Sequence, residues 1–281
     1  MKKNCWVVAL VLVLAAVNVA SAALGDVSAN GLTGLWRFQD SANKLKATVG
    51  TDLVTSHVDN SAWMVGPWTA INPGLSDNGI VQDRAWDYLT CYHGIAGPNG
   101  GGSYINEYTI AIDYKGDPGW NSLYQTSWNG NANDGDLWIN AATPAAATIG
   151  VGGSEGVGYS STTFDATKWH RIVLSVDNGN FFRVFVDGTL FVDAAGRNID
   201  GRFSLELDRF HLFADDNWED AWCLVGTVAV WNRALSNTEV ADMGGWLDPT
   251  SGMPTALTIV PEPATMALLG LGALVGLRRK K

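Results

Sequence analysis

The sequence predicts an all-β protein. Segments of alternating apolar and polar residues are separated by turn-forming residues, and the chain is rich in Gly, Asn, Asp and Thr. Helical periodicity is almost absent over the body of the chain. Alternation with a period of two, broken by turns, is typical of half-buried β-strands.

The first predicted strands have alternating or β-rich sequences, and Pro118-Gly119 supplies a turn between two of them. These strands are Thr33–Phe38, Tyr104–Lys115, Ser122–Trp128 and Asp136–Asn140. The stretch from Asp52 to Asn78 fits no element of this pattern.

A three-stranded meander is predicted from Lys168 to Asp193. Asn178-Gly179 and Asp187-Gly188 accept positive φ angles, so each forms a tight hairpin turn. Alternation places Phe182, Val184 and Val186 on one face, and Phe181, Arg183 and Phe185 on the other.

Two further strands, Arg202–Phe213 and Trp222–Asn232, precede the one predicted helix. Ser236-Asn237-Thr238-Glu239 is a capping box, and Gly244-Gly245 can end the helix after about two turns. Residues 248–260 are rich in Pro, Thr and Ser and are predicted to be a linker.

The N-terminus predicts a secretory signal peptide over residues 1–22. Lys2 and Lys3 precede an apolar run, Trp6–Val17, and Ala20-Ser21-Ala22 is a small-residue cleavage site before Ala23. The alternative is an N-terminal membrane helix, for which this run is short.

Residues 261–281 form a tail with a different chemistry. Ala264–Leu277 carries no charge and spans about 21 Å as a helix, against a hydrocarbon core of about 30 Å. Pro261, Glu262 and Pro263 precede it, and a basic cluster follows it that consists of Arg278, Arg279, Lys280 and Lys281. The basic cluster favours the cytoplasmic side of a membrane.

This tail resembles the PEP-CTERM sorting signal. The resemblance implies a Gram-negative bacterium that exports the chain, a transient membrane contact through the tail, and processing by an exosortase-type enzyme. The mature protein would then be at the cell surface or secreted. The alternative is a simple tail anchor that is never cut.

The charge of the body argues against nucleic acid as a partner. Removing residues 1–22 and 261–281 takes away six of 18 basic residues but only one of 28 acidic residues. The remaining 238 residues carry a formal charge of −15, which repels phosphate backbones. Neutral sugars and divalent cations are compatible with it.

Two cysteines, Cys91 and Cys223, remain after Cys5 is lost with the signal peptide. In an oxidising compartment such a pair predicts a disulfide, worth about 4–5 kcal/mol for a long loop in the chain-entropy model. The alternative is a pair of unbonded cysteines buried on strands.

Four segments together resemble a laminin G-like domain of the concanavalin A-like lectin/glucanase class. They are "GLWRFQDS", "YTIAIDYK", "KWHRIVLSVDNGNFFRVFVDGTLF" and "GTVAVWNRALSNTEV". The resemblance covers most of residues 34–245, within a domain that we expect to occupy residues 23–247. It implies a jelly-roll β-sandwich of two antiparallel sheets.

Hydrolases of this class place two glutamates and an aspartate alternately on one strand, so that the carboxylates share a face. Glu206 and Asp208 begin that pattern, but the second glutamate is absent. Gly152–Gly156 matches a nucleophile-elbow string but has glycine-rich flanks where a strand and a helix are needed. We expect a non-catalytic protein, with a glycan-active hydrolase or lyase as the alternative.

Calcium is the cofactor that the loops suggest. Asp134 and Asp136 lie in one Asn/Asp-rich loop, and Asp215 and Asp216 lie in another. Hard cations take such oxygen ligands. Solvated turn residues on an acidic protein are the alternative.

Tryptophan is abundant, with 13 residues in the chain. Trp120, Trp128 and Trp218 lie in loop-like stretches, where a flat ring can stack on a sugar or simply pack. The tryptophans within predicted strands are expected in the core: Trp36, Trp138, Trp169 and Trp231.

These observations predict an exported, non-catalytic cell-surface or extracellular-matrix protein. Its β-sandwich is expected to bind glycan or exopolysaccharide, and an envelope protein is the other partner that such a location allows. A structural protein-adhesion module is the second alternative.

Overall fold

The computed structural model describes residues 26–38, 40, 42–55, 64–67, 79–83, 88–116, 118–127, 135–153, 156–214, 223–246 and 257–260. Within those ranges the strands are, in chain order, β1 (Asp26–Ser28), β2 (Leu32–Trp36), β3 (Ala47–Val49), β4 (Val54–Thr55), β5 (Met64–Pro67), β6 (Gly79–Asp83), β7 (Leu89–Cys91), β8 (Glu107–Gly116), β9 (Gly119–Gln125), β10 (Asp136–Ala141), β11 (Thr148–Val151), β12 (Gly158–Tyr159), β13 (His170–Asp177), β14 (Phe181–Val186), β15 (Thr189–Ala195), β16 (Phe210–Leu212), β17 (Cys223–Trp231) and β18 (Thr258–Val260). The helix α1 spans Asn237–Met243, and a 3₁₀ turn, Pro144–Ala146, joins β10 to β11.

Two antiparallel sheets form the sandwich, which confirms the predicted fold. One sheet runs β15-β14-β13-β8-β17-β2-β3 and gains β6 and β5 beside β17, so it is the nine-stranded sheet. The other runs β12-β11-β10-β9-β16-β7-β4 and is the seven-stranded sheet. Separately, β1 pairs with β18 in parallel.

The meander of β13, β14 and β15 forms as its turn residues predict. Asp187 has φ 50° and Gly188 has φ 75°, the left-handed pair that a tight hairpin needs. Phe182, Val184 and Val186 on β14 face the main core between the two sheets. Burying each such side chain contributes about 1.5–3 kcal/mol.

A second core lies on the outer face of the nine-stranded sheet. Its sheet residues are apolar: Leu35, Ala111, Val173, Phe185, Ala229 and Trp231. Leu235, Val240 and Met243 from α1 and its approach cover them, together with Leu257. The predicted capping box is present, since Ser236 accepts from the Glu239 amide and the Glu239 carboxylate accepts from the Ser236 amide. The helix is therefore fixed at its start and covers the sheet.

A buried ion pair ties this helix to the sheet. Arg171 on β13 donates from Nε and Nη2 to both carboxylate oxygens of Asp113 on β8, at 2.7 and 3.2 Å. Its Nη1 donates to the Met243 carbonyl at 3.0 Å. Both side chains are almost fully buried. The charges compensate each other in a place that water does not reach.

The structure corrects three predictions. Cys91 and Cys223 are both free and buried, so the predicted disulfide is not formed. They lie on strands of different sheets, and a thiol packs in an apolar core as a small hydrophobic group. The strand expected over residues 202–213 is reduced to β16. The end of the predicted linker is β18, because backbone pairing with β1 orders it; residues 248–256 lie outside the described residues.

Among the described residues, no helix is long and apolar enough to cross a membrane. The predicted signal peptide, the predicted tail helix and the sorting residues Pro261, Glu262, Pro263, Arg278 and Arg279 all lie outside the described residues.

Candidate functional site

The outer face of the seven-stranded sheet carries polar and aromatic side chains. Strand register defines its members, because Asp136 pairs with Gln125 and Trp138 pairs with Ser122. An irregularity between these two pairs turns both Leu123 and Tyr124 toward the main core. The residues of this outer face include Thr90, Trp120, Ser122, Gln125, Asp136, Trp138, Asn140, Thr148, Tyr159 and His211.

One end of this face is an aromatic patch of Trp120, Trp138 and Tyr159. The Trp120 ring lies 6.4 Å from the Trp138 ring and 5.9 Å from the Tyr159 ring, edge to face in both cases. Trp138 is 8% exposed, whereas Trp120 is 46% exposed. Two rings therefore support a third whose surface is left to solvent, and such an exposed apolar surface is typical of binding sites.

A glycine makes room for this arrangement. Gly150 on β11 pairs with Trp138 on one side and with Tyr159 on the other. It has φ 155°, and a Cβ there would approach the Gly158 carbonyl oxygen to 2.0 Å. Because Gly150 has no side chain, none stands between Trp138 on β10 and Tyr159 on β12. The rings of Trp120 and Tyr159 can therefore approach each other across the sheet.

The middle of the face is a buried polar row. The Nδ1 atom of His211 lies 3.3 Å from the Thr90 hydroxyl, and Tyr88 packs against the imidazole edge to face. Burial lowers the pKa of His211 to about 4, since the nearby Glu206 carboxylate only partly offsets the loss of hydration. The ring is therefore neutral at pH 7 and can offer one donor and one acceptor.

Glu206 and Asp208 precede β16 and do not share a strand. The Glu206 carboxylate accepts from the Ser127 hydroxyl at 2.5 Å. Asp208 is exposed and paired with Arg209 at 2.7 Å, and this hydrogen bond lowers the pKa of Asp208. The alternating-strand geometry of a retaining pair is therefore absent between these two residues.

The structure describes only part of the predicted sites. Of the predicted sugar-binding tryptophans, Trp120 lies on β9, where a loop was expected, while Trp128 and Trp218 lie outside the described residues. Among the predicted calcium ligands, Asp134, Asp215 and Asp216 also lie outside them. Asp136 is on β10, and its carboxylate accepts from Arg202 at 3.4 Å. In the described ranges no group of three or more His, Cys, Asp or Glu side chains is arranged to hold a metal ion.

Trp138 was expected in the core, and it is buried, but its ring lies on the outer face of the seven-stranded sheet, in the aromatic patch. The sequence could have indicated this position. Leu137 and Ile139 on β10 face the main core, so alternation places Trp138 between them on the opposite face. Trp36 and Trp231 are fully buried, and Trp169 stacks on Trp246 at 4.6 Å. Tyr159 and His211 had no sequence signal, since only the strand order brings them to this face.

Two parts of the chain match known families. Residues 98–241, just over half of the 281, match the concanavalin A-like lectin/glucanases superfamily. Residues 260–281 match the PEP-CTERM protein-sorting motif. No curated protein matches the chain.

Solved structures share the fold at low identity. Domain 4 of AbnA, a GH43 extracellular arabinanase from Geobacillus stearothermophilus in complex with arabinotriose, aligns with a TM-score of 0.52 and 17% identity over 76% of this chain and 98% of that one. A Trypanosoma rangeli sialidase in complex with the inhibitor DANA aligns with a TM-score of 0.56 and 12% identity, over 84% of this chain and 37% of the sialidase. This chain thus corresponds to about a third of the sialidase.

Proposed function

Because the chain belongs to the concanavalin A-like lectin/glucanases superfamily and ends in a PEP-CTERM protein-sorting motif, we propose that it is an exported, non-catalytic protein that binds glycan. The motif implies export, cell-surface sorting and processing by an exosortase-type enzyme. In this proposal the mature protein resides at the surface or in the extracellular matrix of a Gram-negative bacterium. The observation that carries the binding role is the half-exposed Trp120, held by Trp138 and Tyr159.

The aromatic patch has the chemistry of a sugar platform. A sugar ring presents C–H groups on one face, and an exposed indole offers a flat apolar surface for them. Asn140, the cross-strand partner of Trp120, places a partly exposed amide beside the rings for sugar hydroxyls. The net charge of −10 for the chain disfavours strongly anionic polymers. We therefore propose a neutral exopolysaccharide as the ligand.

The solved relatives support this choice only through the fold. The arabinanase domain is described in complex with arabinotriose, so a sandwich of this kind accommodates a sugar in that protein. Its 17% identity carries no residue from that site to this chain.

The proposal of a non-catalytic role is supported by the state of the two carboxylates. A general acid requires a proton at working pH, and the Arg209 hydrogen bond holds the pKa of Asp208 below its ordinary value. Glu206 is engaged with Ser127 and lies in the segment before β16. Cleavage of the glycan by these groups, by hydrolysis or by elimination, is the alternative to be tested.

The experiment is a polysaccharide and glycan array probed with the purified full chain, once with calcium and once with chelator. Hits are then titrated with Trp120→Ala and with a matched control, Ile199→Ala, which removes an exposed apolar side chain elsewhere. We expect Trp120→Ala to weaken binding at least tenfold, or about 1.4 kcal/mol, and Ile199→Ala to leave it unchanged.

Four outcomes would contradict parts of the proposal or the expected role of calcium. Silence on every polysaccharide, or equal losses in both variants, removes the aromatic patch as a sugar site and favours protein adhesion. If glycan binding and the melting temperature are the same with calcium and with chelator, calcium is not a cofactor. Release of shorter sugars from a bound glycan, abolished by Glu206→Gln, would make the protein an enzyme.

A further inference from the structure

The last described residues of the chain are docked on the domain. Residues 257–260, which we call the clasp, include Leu257, which is 2% exposed and packs in the second core. The Arg37 guanidinium donates to the Leu257 carbonyl. Thr258 pairs with Asp26, and Val260 pairs with Ser28. Backbone pairing, one side chain and one hydrogen bond thus hold the segment in place.

The clasp and the aromatic patch lie on opposite sides of the sandwich. Leu257 packs with residues on the outer face of the nine-stranded sheet, beside α1, which also contacts β1. Trp120 stands on the outer face of the seven-stranded sheet. The main core and both sheets separate the two places.

The connection from the clasp to the tail is short. The sorting-motif match begins at residue 260, the last residue of β18, and the uncharged stretch begins at Ala264. Four residue steps span at most about 14 Å when fully extended. Two stacked sheets are already about 10 Å apart, and a covering helix adds about 8–10 Å more. The connection between the clasp and the membrane segment is therefore shorter than the thickness of the sandwich with its covering helix. The face that carries the aromatic patch cannot lie against a membrane into which the tail is inserted.

We infer that the clasp orients the tail-anchored precursor, with α1 and β1 toward the lipid surface and the aromatic patch away from it. The role of the patch in this arrangement rests on the proposed glycan binding, but the orientation itself requires no sugar. A precursor held in this way presents the patch to extracellular polymer before the tail is cut. It also places the N-terminal strand on the membrane side.

The orientation is tested with the full chain inserted by its tail into phosphatidylethanolamine/phosphatidylglycerol vesicles. In a Cys5→Ser background, a fluorophore is attached to Ala241→Cys on the exposed side of α1 or to Trp120→Cys on the aromatic patch. Cys91 and Cys223 are buried and stay unlabelled in the folded chain. With a headgroup-attached quencher we expect severalfold stronger quenching at position 241 than at position 120. Equal quenching, or the reverse order, would overturn the inference.

The clasp itself is tested by Leu257→Asp, with Val54→Asp as the matched control at a position that is 49% exposed. Amide hydrogen exchange should show that Leu257→Asp removes protection from β1 and β18 together, while β13 stays protected. The difference in quenching between the two probes should then disappear. If Leu257→Asp does not fold, Arg37→Ala gives the same readouts with a milder change. Unchanged protection of β1 would refute the clasp, and failure of sugar binding alone would leave these results standing.

Discussion

The two outer faces of the sandwich differ in what covers them. On the nine-stranded sheet, an apolar surface is sealed by α1 and the clasp, and Trp231 is fully buried beneath them. On the seven-stranded sheet, the aromatic patch leaves nearly half of Trp120 to solvent. One face therefore contributes to the stability of the fold, and the other keeps apolar area available for a ligand.

The largest expected effect is on the covered face. Arg171→Ala leaves the Asp113 carboxylate buried without its partner, and we expect a loss of roughly 3–5 kcal/mol in the free energy of unfolding. The matched control is Arg183→Ala, which breaks a partly exposed pair with Asp193 and should cost under about 1 kcal/mol. Urea denaturation measures both. Similar losses in the two variants would show that burial of the pair does not matter.

The second prediction contrasts two histidines of opposite pH dependence. The pKa of His211 is about 4 in the folded chain, below the ordinary 6.5, so the unfolded chain takes up the proton first as the pH falls. Stability is then lost between pH 6.5 and 4, by up to about 3 kcal/mol. Burial disfavours the charge on His170 too, but hydrogen bonds to the Asp187 carboxylate and the Asp165 carbonyl raise its pKa. The stability from His170 is therefore present below pH 6.5 and lost as the pH rises through its raised pKa.

Denaturation at pH 4.5, 5.5 and 7.5 tests this contrast. His211→Gln should reduce the loss of stability at acid pH. His170→Gln should lower the free energy of unfolding, and most strongly at acid pH, where the protonated imidazole of the wild type is paired with Asp187. His93 also has a pKa lowered by burial, so part of the acid-side loss should persist in His211→Gln. A difference between wild type and His211→Gln that does not vary with pH would contradict the assignment.

The smallest expected effect concerns the start of the covering helix. Ser236→Ala removes the hydroxyl that accepts from the Glu239 amide and should cost about 1 kcal/mol. Thr238→Ala, at an exposed position in the same helix, should change stability by less than about 0.5 kcal/mol. Thermal melting of the wild type and the two variants makes the comparison. Equal melting temperatures would mean that the Ser236 cap does not contribute to the stability of the fold.

Features set by neighbouring residues were predictable from the sequence. The meander follows from Asp187-Gly188 and its flanking alternation, and α1 follows from the capping box at Ser236. Both depend on contacts within a few residues, which a sequence pattern records directly.

Features set by distant residues were not predictable. Trp120 joins Trp138 and Tyr159 only because three strand pairings bring β9 and β12 to one face. The pairing of Asp26 with Thr258 joins the first and last strands of the described residues and leaves no local sequence pattern. The later strand, β18, was therefore predicted to be part of the linker. The cysteine pair was compatible with a bond by count alone, whereas the structure leaves both thiols unbonded in the core.

The pairing of β1 with β18 also sets an order of events. The ribosome makes β1 long before β18, so β1 has no partner until Thr258–Val260 have been synthesised. A product that stops short of Leu257 lacks both that partner and a buried leucine of the second core. Closure of this two-stranded sheet therefore requires synthesis at least as far as Val260.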